Sequence, residues 1–177
     1  MDDAIDTERL RLRPFASSDA SSAFAWFGDP AVMRYTPTGP DKNLEETATR
    51  LAEYQHHQSD HGFSKWIILE KVSNQPIGDS GLLFLPEHGW IDFGFRLALA
   101  FWGKGLATEA GFAWVQQAFG PLKLPGLRAI VHPENTASRR VLQKLGFFED
   151  RRDVIRGMPC LVCSLTPDQA RNPLAHR

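Results

Sequence analysis

Ten residues near the middle of the chain, FWGKGLATEA from Phe101 to Ala110, join a glycine turn to the start of a helix. Glycine has the poorest helix propensity after proline, so propensity does not explain two glycines here. Backbone N–H groups at a helix start have no acceptor inside the helix, and the helix dipole favours an anion there. Glycine lets a phosphate approach the backbone because it has no Cβ. The segment Gly103–Ala107 therefore predicts a pyrophosphate cradle of main-chain N–H groups.

Two better-known phosphate loops do not fit this segment. A Walker loop needs G-x-x-x-x-G-K-[ST], but Lys104 is followed by Gly105 and the upstream glycine is missing. A Rossmann fingerprint needs Gly or Ala where Thr108 stands, and the following strand ends at His132 rather than at an acid that could hold a ribose. A tight turn with no ligand is the alternative explanation of the glycines.

Composition places the chain among ordinary globular proteins. It has 177 residues, 42% hydrophobic and 23% charged, which suits a single domain spanning 1–177. A net charge of −1 without a basic stripe argues against nucleic-acid binding. No apolar run is long enough to span a membrane, and the acidic start MDDAIDTERLRLRPF is unlike a secretory signal. We therefore expect a cytoplasmic protein with no membrane partner.

The cysteines and histidines do not form a metal-binding pattern. Cys160 and Cys163 make one CxxC, but a structural zinc site needs four ligands and no second pair exists. His56, His57 and His61 cluster, yet the first two are adjacent and point apart on a helix. We expect two thiols in a terminal strand and no metal.

The hydrophobic pattern predicts the element order β-α-α-β-β-β-α-β-α-β-β. Strands are expected at ERLRLRPF, FSKWIILEKV, IGDSGLLFLP, GWIDFGFRLA, LRAIV, FFEDRRDVIR and MPCLVCSLT, and helices at SSDASSAFAWFGDP, LEETATRLAEYQHHQ, KGLATEAGFAWVQQAFG and NTASRRVLQKLG. The strand–helix–strand unit from Phe93 to Val131 makes its two strands parallel, whereas the three strands in succession before the glycine turn form an antiparallel meander. The polar tail, 167–177, is expected to be loose.

Four segments resemble the GNAT superfamily of acyl-CoA N-acyltransferases, and within it the RimJ/RimL type of ribosomal-protein N-terminal acetyltransferases. They are TERLRLRPF, GDPAVMRYT, IDFGFRLALAFWGKGLATEA and NTASRRVLQKLGF, in the family's order. The resemblance spans roughly residues 7–165. It implies an α+β GNAT fold: a mostly antiparallel mixed sheet of about seven strands with a parallel splayed pair, flanked by about four helices. It also implies acetyl-CoA as acyl donor, an amine acceptor and, in many relatives, a homodimer.

The resemblance places the acyl donor between the strands that end near Leu97 and Val131. The pantetheine arm would bond to the backbone of one strand, and the pyrophosphate would lie on the glycine turn. The superfamily often begins this turn with Arg or Gln, whereas Trp102 matches the aromatic residue common in the RimJ/RimL type. The implied donor site comprises Phe95, Arg96, Leu97, Trp102, Gly103, Lys104, Gly105, Leu106, Ala107, Thr108, Asn135, Ser138 and Arg139.

Two parts of this donor site carry alternatives. Many superfamily members offer a tyrosine to the leaving thiolate where Leu142 stands, so the usual acid is missing. In the RimJ/RimL type a serine at Ser138 is expected to contact the thiol, although a helix cap is the simpler role. Arg139 or Arg140 could pair with the nucleotide phosphate, or both could lie on a solvated helix face.

Asp92 is the candidate general base, because the family often has an acidic residue on this strand. Alternation puts Asp92 on one face with Trp90 and Gly94, where its carboxylate could act through a water. A surface or salt-bridged aspartate is the alternative. Glu109 is a second carboxylate near the turn, but an acid in the first turns of a helix is favoured electrostatically without any catalytic role.

The resemblance also implies where the amine acceptor binds. The resemblance places the acceptor pocket at Trp26, Phe27, Met33 and Tyr35, together with Asp92, although such aromatic residues are more often core. Two functions follow. One is an N-acetyltransferase acting on a protein N-terminus, a peptide or a small amine. The other is a catalytically silent acyl-CoA-binding module that acts as a sensor or scaffold.

Overall fold

The computed structural model describes residues 4–171, which form one eight-stranded sheet with helices on both faces. The strands are β1 Ile5–Asp6, β2 Leu10–Pro14, β3 Lys65–Glu70, β4 Gln75–Leu85, β5 Trp90–Leu97, β6 Leu127–Val131, β7 Phe148–Ile155 and β8 Met158–Leu165. The helices are α1 Ala20–Phe27, α2 Leu44–His61, α3 Leu106–Phe119, α4 Thr136–Lys144 and α5 Pro167–Arg171, with 3₁₀ turns at Ser17–Asp19 and Leu99–Phe101.

The spatial order of the strands is β1-β2-β3-β4-β5-β6-β8-β7. Every neighbouring pair is antiparallel except β5 and β6, which are parallel and joined by α3. The predicted mixed α+β fold and its parallel crossover are therefore confirmed.

The structure contains one strand and one helix more than the sequence pattern predicts. β1 is only two residues long, with Ile5 opposite Leu12, which is too short for alternation to reveal. α5 lies in the segment expected to be loose, and the Thr166 carbonyl accepts from the Ala170 N–H at 3.0 Å. The rest of that tail, 172–177, lies outside the described residues.

Helix ends follow the capping chemistry of the sequence. The Asn43 side chain accepts from the Glu46 N–H at 2.9 Å and starts α2, which ends at Gly62 with φ +76°. Asn135 starts α4 in the same way. None of the helices in residues 4–171 has the length and apolar character needed to cross a membrane.

Each face of the sheet carries its own apolar core. On one face α3 and α4 pack Leu106, Trp114 and Leu142 against the sheet. On the other face α1 and α2 contribute a second cluster that includes Phe27 and Tyr54. β5 lies between them, so its alternate side chains reach opposite cores.

The two cysteines are structural. Cys160 belongs to a small cluster on one face of β8 and Cys163 to the α3–α4 core on the other, and both are free thiols. Burial raises the pKa of Cys163 to about 11, which keeps the thiol protonated. Within 4–171 no group of three or more histidines, cysteines or acids could hold a metal ion.

His57 ties α2 to β4 through both ring nitrogens. Its Nδ1 lies 2.8 Å from the Phe63 carbonyl oxygen, and its Nε2 accepts the Phe84 N–H at 2.9 Å. Both bonds together require the neutral ring with its proton on Nδ1. Burial lowers the pKa of His57 below its ordinary 6.5, although the Phe63 carbonyl opposes this shift.

These two hydrogen bonds of His57 make the stability of the fold depend on pH. Because the folded pKa of His57 is depressed, the unfolded chain takes up the proton first as the pH falls below about 6.5. The contribution of His57 to the free energy of unfolding should therefore fall between pH 7.5 and pH 5.5. His57→Gln should cost about 1–3 kcal/mol at pH 7.5, by leaving buried groups unpaired, and the difference in stability between parent and variant should shrink at pH 5.5. Urea denaturation at both pH values measures this.

His56→Gln is the matched control, since the His56 side chain is 80% exposed and pairs with Asp60 on the helix surface. It should leave both the stability and its pH dependence close to those of the parent. The same pH dependence in the parent and in both variants would contradict the role given to His57.

Candidate active site

The site begins where the two parallel strands separate. β5 and β6 pair at one register position, Asp92 opposite Arg128, and no further pairing toward Leu97 and Val131 occurs in residues 4–171. The other edge of β5 is fully engaged with β4, where Phe95 pairs with Ser80. The edge of β5 that faces β6 therefore has backbone groups available beyond Asp92.

The glycine turn stands at the end of β5 and is open to solvent. Gly103 and Gly105 have φ values of +73° and +77°, which favour glycine. A Cβ on Gly103 would meet nothing within 4 Å, and one on Gly105 would meet only the Arg9 Nη2 atom at 3.6 Å. At these two positions the backbone of the turn is therefore not covered by a side chain.

The N–H groups of this turn are free to bind an anion. The first N–H of α3 that finds a backbone acceptor is that of Glu109, which donates to the Gly105 carbonyl at 3.0 Å. In the described part of the chain, the N–H groups of 103–108 make no backbone hydrogen bond. Six donors at a helix N-terminus, approached past two glycines, fit a diphosphate.

Glu109 holds this turn to the N-terminal strand. Its Oε1 accepts from the Thr7 hydroxyl at 2.6 Å and from the Arg9 N–H at 2.8 Å, and its Oε2 accepts from Arg9 Nε at 2.6 Å. Burial alone would raise the pKa of Glu109, but these hydrogen bonds lower it. Arg9 also donates from Nη1 to the Lys104 carbonyl at 2.9 Å. Glu109 therefore has a structural role, and no pattern in the sequence predicts the part played by Arg9.

Other predicted donor-site residues on this side also have protein partners. The Trp102 indole donates to the Leu97 carbonyl at 2.6 Å, which fixes the start of the turn against the end of β5. The Lys104 ammonium lies 5.1 Å from the centre of the Phe101 ring. The Arg96 side chain turns to the opposite face of the sheet and pairs with Asp79 at 2.8 Å.

The start of α4 lies beside β6 and carries the predicted thiol contact. The Asn135 side chain caps the helix by accepting from the Ser138 N–H at 3.1 Å, so the Ser138 side chain does not perform the cap. No hydrogen bond of the Ser138 hydroxyl is found in residues 4–171. Leu142, at the position of the usual tyrosine, is 3% exposed and belongs to the core.

Arg139, predicted to reach the nucleotide phosphate, has an ion pair within the protein. Its Nη2 lies 2.6 Å from Glu149 Oε1, and its Nη1 donates to the Pro133 carbonyl at 3.2 Å. Phosphate contact from Arg139 stays a prediction and would compete with this pair.

Asp92 lies on the face opposite α3, as alternation predicts. Its Oδ1 atom is shielded from solvent and has no hydrogen-bond partner in the described part of the chain, and the same holds for Trp90 Nε1, two residues earlier on β5. Burial raises the pKa of Asp92 to about 6, although the Lys65 ammonium and the Ile130 backbone amide act in the opposite direction. A carboxylate near that pKa can take up and release a proton close to neutral pH.

The predicted acceptor residues divide into core and surface. Trp26 and Met33 are 0% and 1% exposed, and the Trp26 indole donates to Asp79 at 3.0 Å. Tyr35 is half-buried and stacks on His132 with ring centres 4.9 Å apart, next to the end of β6. An acceptor could meet Tyr35 directly, whereas contact with Trp26 would require helix α1 to move and contact with Met33 would require the segment after α1 to move.

Apart from Asp92, the buried carboxylates of the acceptor face are neutralised by arginines. Asp19 pairs with Arg13 at 2.7 Å, Asp41 with Arg50 at 2.5 Å, and Asp79 with Arg96 at 2.8 Å. Asp92 has no arginine partner in residues 4–171, which sets it apart from the structural aspartates.

Comparisons with known proteins agree with this geometry. Residues 9–148 match the family described as "Acetyltransferase (GNAT) domain". A relative named uncharacterized N-acetyltransferase p20, from Bacillus licheniformis, is 30% identical over 142 residues, which cover 80% of either chain. The spermidine N(1)-acetyltransferase of Escherichia coli K12 is 29% identical over 142 residues, covering 78% of this chain and 72% of that one.

A solved structure described as a ribosomal-protein-S5-alanine acetyltransferase, from Vibrio fischeri, superimposes with a TM-score of 0.78 at 20% identity, covering 93% of this chain and 97% of that one. The structural neighbours thus include a ribosomal-protein acetyltransferase, and at this identity the likeness concerns the fold. The family match covers most of the chain, and the splayed strands and the open glycine turn agree with it. The chain belongs to the GNAT family of acetyltransferases, enzymes that use acetyl-CoA.

Proposed function

We propose that this enzyme moves an acetyl group from acetyl-CoA to a primary amine by direct attack, with the α-amine of a peptide or protein as the favoured acceptor. The observation that carries the proposal is the unpaired Asp92 Oδ1 atom, which stands where β5 and β6 separate. A solvent-shielded oxygen that accepts no hydrogen bond is rare in folded proteins. Asp92 as a whole is half-buried, so a rotation of its carboxylate would bring Oδ1 within reach of an incoming amine, or of a water bound to that amine, which would supply the missing hydrogen-bond donor.

The open turn after β5 supports acetyl-CoA as the donor. The N–H groups from Gly103 to Thr108 would hold its diphosphate, and the edge of β5 along Phe95–Leu97 that faces β6 would bond to pantetheine, with the Leu97 carbonyl already bound by the Trp102 indole. Acetyl-CoA, when bound, supplies an acetyl group activated as a thioester. The chain supplies the backbone donors that orient it.

Asp92 would accept the proton that an acceptor ammonium group loses before attack. An α-amine has a pKa of about 7.7–8.0 and a lysine side chain about 10.4. A base with a pKa of about 6 is better matched to the α-amine, because the proton transfer is less uphill. The same carboxylate would deprotonate a lysine poorly.

Ser138 would assist departure of the thiolate. The Ser138 hydroxyl makes no hydrogen bond within residues 4–171, since Asn135 provides the cap of α4, so its O–H is available to donate to sulfur. The N-terminal end of α4 also favours negative charge beside it. A serine hydroxyl can donate a hydrogen bond to the thiolate without transferring its proton. This role does not need the tyrosine that many family members have where Leu142 stands.

The pairing of buried charges supports an α-amine over a polyamine. A polyamine carries several positive charges and needs several unpaired acids. On the acceptor face Asp19, Asp41 and Asp79 are each neutralised by an arginine, which leaves Asp92. The spermidine acetyltransferase relative makes a polyamine the second candidate acceptor.

Turnover against a panel of acceptors tests this proposal. Release of the coenzyme A thiol is followed with peptides bearing a free N-terminus, lysine peptides with a blocked N-terminus, and spermidine. We expect kcat/KM to be at least about tenfold higher for free N-termini. Faster turnover of spermidine would contradict the acceptor class. Firm acetyl-CoA binding without turnover of any acceptor would contradict the reaction and favour a silent sensor.

Blocking the backbone surface of the turn should weaken donor binding. Gly105→Val places a branched side chain over the free N–H groups, and we expect the Kd for acetyl-CoA in calorimetry to rise by about tenfold or more. Gly157→Val in the β7–β8 hairpin is the matched control. Gly157 also has φ +77° and open space around its Cβ position, so its strain is comparable. Equal affinity in both variants would contradict the cradle.

Removing the Ser138 hydroxyl should slow the chemical step alone. For Ser138→Ala we expect kcat to fall about tenfold to a hundredfold while the Kd for acetyl-CoA stays within about twofold. Thr136→Ala, on the exposed first position of α4, is the control and should leave kcat unchanged. An unchanged kcat in Ser138→Ala would refute the thiolate role.

A further inference from the structure

Lys65 is a buried lysine on the acceptor face of the sheet. It is 2% exposed although it begins β3. Strand register puts Lys65 opposite Gly81 on β4, and Gly81 opposite Gly94 on β5. Two glycines in one row across neighbouring strands leave no side chains in the way, so the lysine can extend across β4 toward β5.

The lysine ends beside Asp92. Its Nζ donates to the Gly81 carbonyl at 2.9 Å. A Cβ on Gly94 would stand 2.6 Å from Lys65 Nζ and 3.8 Å from Asp92 Oδ2, so both charged groups flank the space that this glycine leaves empty. They make no direct ion pair in the described part of the chain, and Asp92 Oδ1 keeps its free acceptor site.

The other charged groups near this pair have other partners or lie farther from Asp92. Asp79 on β4 is bound by Arg96 and by the Trp26 indole. His57 on α2 is held neutral by its two hydrogen bonds. The groups that face Lys65 or Asp92 from the packed elements are Asp79, Arg96, His57 and His88 of the β4–β5 turn.

We infer that Lys65 is a positioning residue for the general base. The paired glycines Gly81 and Gly94 leave room for its buried ammonium group beside Asp92. This charge keeps the Asp92 carboxylate ionised, so that it can accept the proton of the incoming amine. The inference rests on the proposed role of Asp92. Lys65 touches neither acceptor nor donor in this account and acts through the carboxylate.

The charge states support this arrangement. Burial lowers the pKa of Lys65 to about 8, so the lysine still carries its charge at neutral pH. Among the charges that act on Asp92, the Lys65 ammonium opposes the burial effect most strongly, and the resulting pKa is about 6. Without Lys65, burial would drive Asp92 toward its protonated form, which cannot accept a proton.

The test replaces Lys65 by methionine, which is similar in length but uncharged, in the full-length enzyme. Aspartate carboxyls are titrated by ¹³C NMR, with the Asp92 signal assigned by its loss in Asp92→Asn. We expect the titration midpoint of Asp92 to rise by about one to two units in Lys65→Met. The acid limb of kcat/KM should move with it, so the rate falls about three- to 25-fold at pH 6.5 and recovers to within about twofold at pH 9.

Lys71→Met is the matched control, since Lys71 lies at the surface just after β3 and should leave the midpoint and the acid limb unchanged. If Lys65→Met does not fold, Lys65→Gln removes the charge while keeping a hydrogen-bond donor. In the Asp92→Asn background, either change at Lys65 should alter kcat/KM by less than about twofold.

An unmoved midpoint would overturn the inference even in an active enzyme. A rate reduced equally at every pH would also overturn it, because a packing role alone predicts that pattern. The NMR titration needs no acceptor. A shifted midpoint in a protein that turns over no amine would contradict the proposed function and leave the electrostatic coupling of Lys65 to Asp92 in place.

Discussion

The separation of β5 from β6 is the constraint on which the active site depends. Parallel strands inside a sheet normally satisfy each other's backbone groups, and buried unpaired groups are costly. Here the two strands share one register position, Asp92 with Arg128. The edge of β5 beyond it is free to bond to an extended, amide-bearing ligand, as a further strand would. The crossover helix α3 begins just past this edge, so its free N–H groups lie at the end of the same strand.

The same strand contributes side chains to both faces of the sheet. Phe93 and Leu97 turn toward the α3–α4 core, while Arg96 packs over the Phe27 ring of α1 on the opposite face, which Asp92 shares by alternation. On the second face charge is closely matched, because the buried aspartates Asp19, Asp41 and Asp79 each have an arginine. The charge of Asp92 is balanced instead by Lys65, whose ammonium group lies near the carboxylate without forming a direct ion pair. An ion pair with an arginine would hold the carboxylate ionised but would occupy its oxygens.

Much of this architecture follows from local patterns in the sequence. The element order, the parallel crossover and the facing of Asp92 were predictable because they depend on periodicity and on glycine chemistry at the turn. β1 and α5 were missed because two- and five-residue elements are too short to show a period. The Asn135 cap of α4 was predictable, and it frees Ser138 from the capping role considered for it.

The contacts that could not be predicted join residues far apart in sequence. The link from Arg9 to Glu109 spans 100 positions, and the approach of Lys65 to Asp92 depends on the register of three strands. Periodicity shows which face a residue occupies, but not which residues meet across that face. The burial of Trp26 and Met33 has the same origin, since an aromatic–aliphatic pattern suits a pocket and a core equally.

A crystal structure of the enzyme with coenzyme A tests the central claim most directly. The account predicts that the diphosphate lies within hydrogen-bond distance of the N–H groups of 103–108, that the pantetheine follows the free edge of β5, and that the sulfur approaches Ser138. A nucleotide bound elsewhere, with β5 and β6 closed against each other, would contradict it.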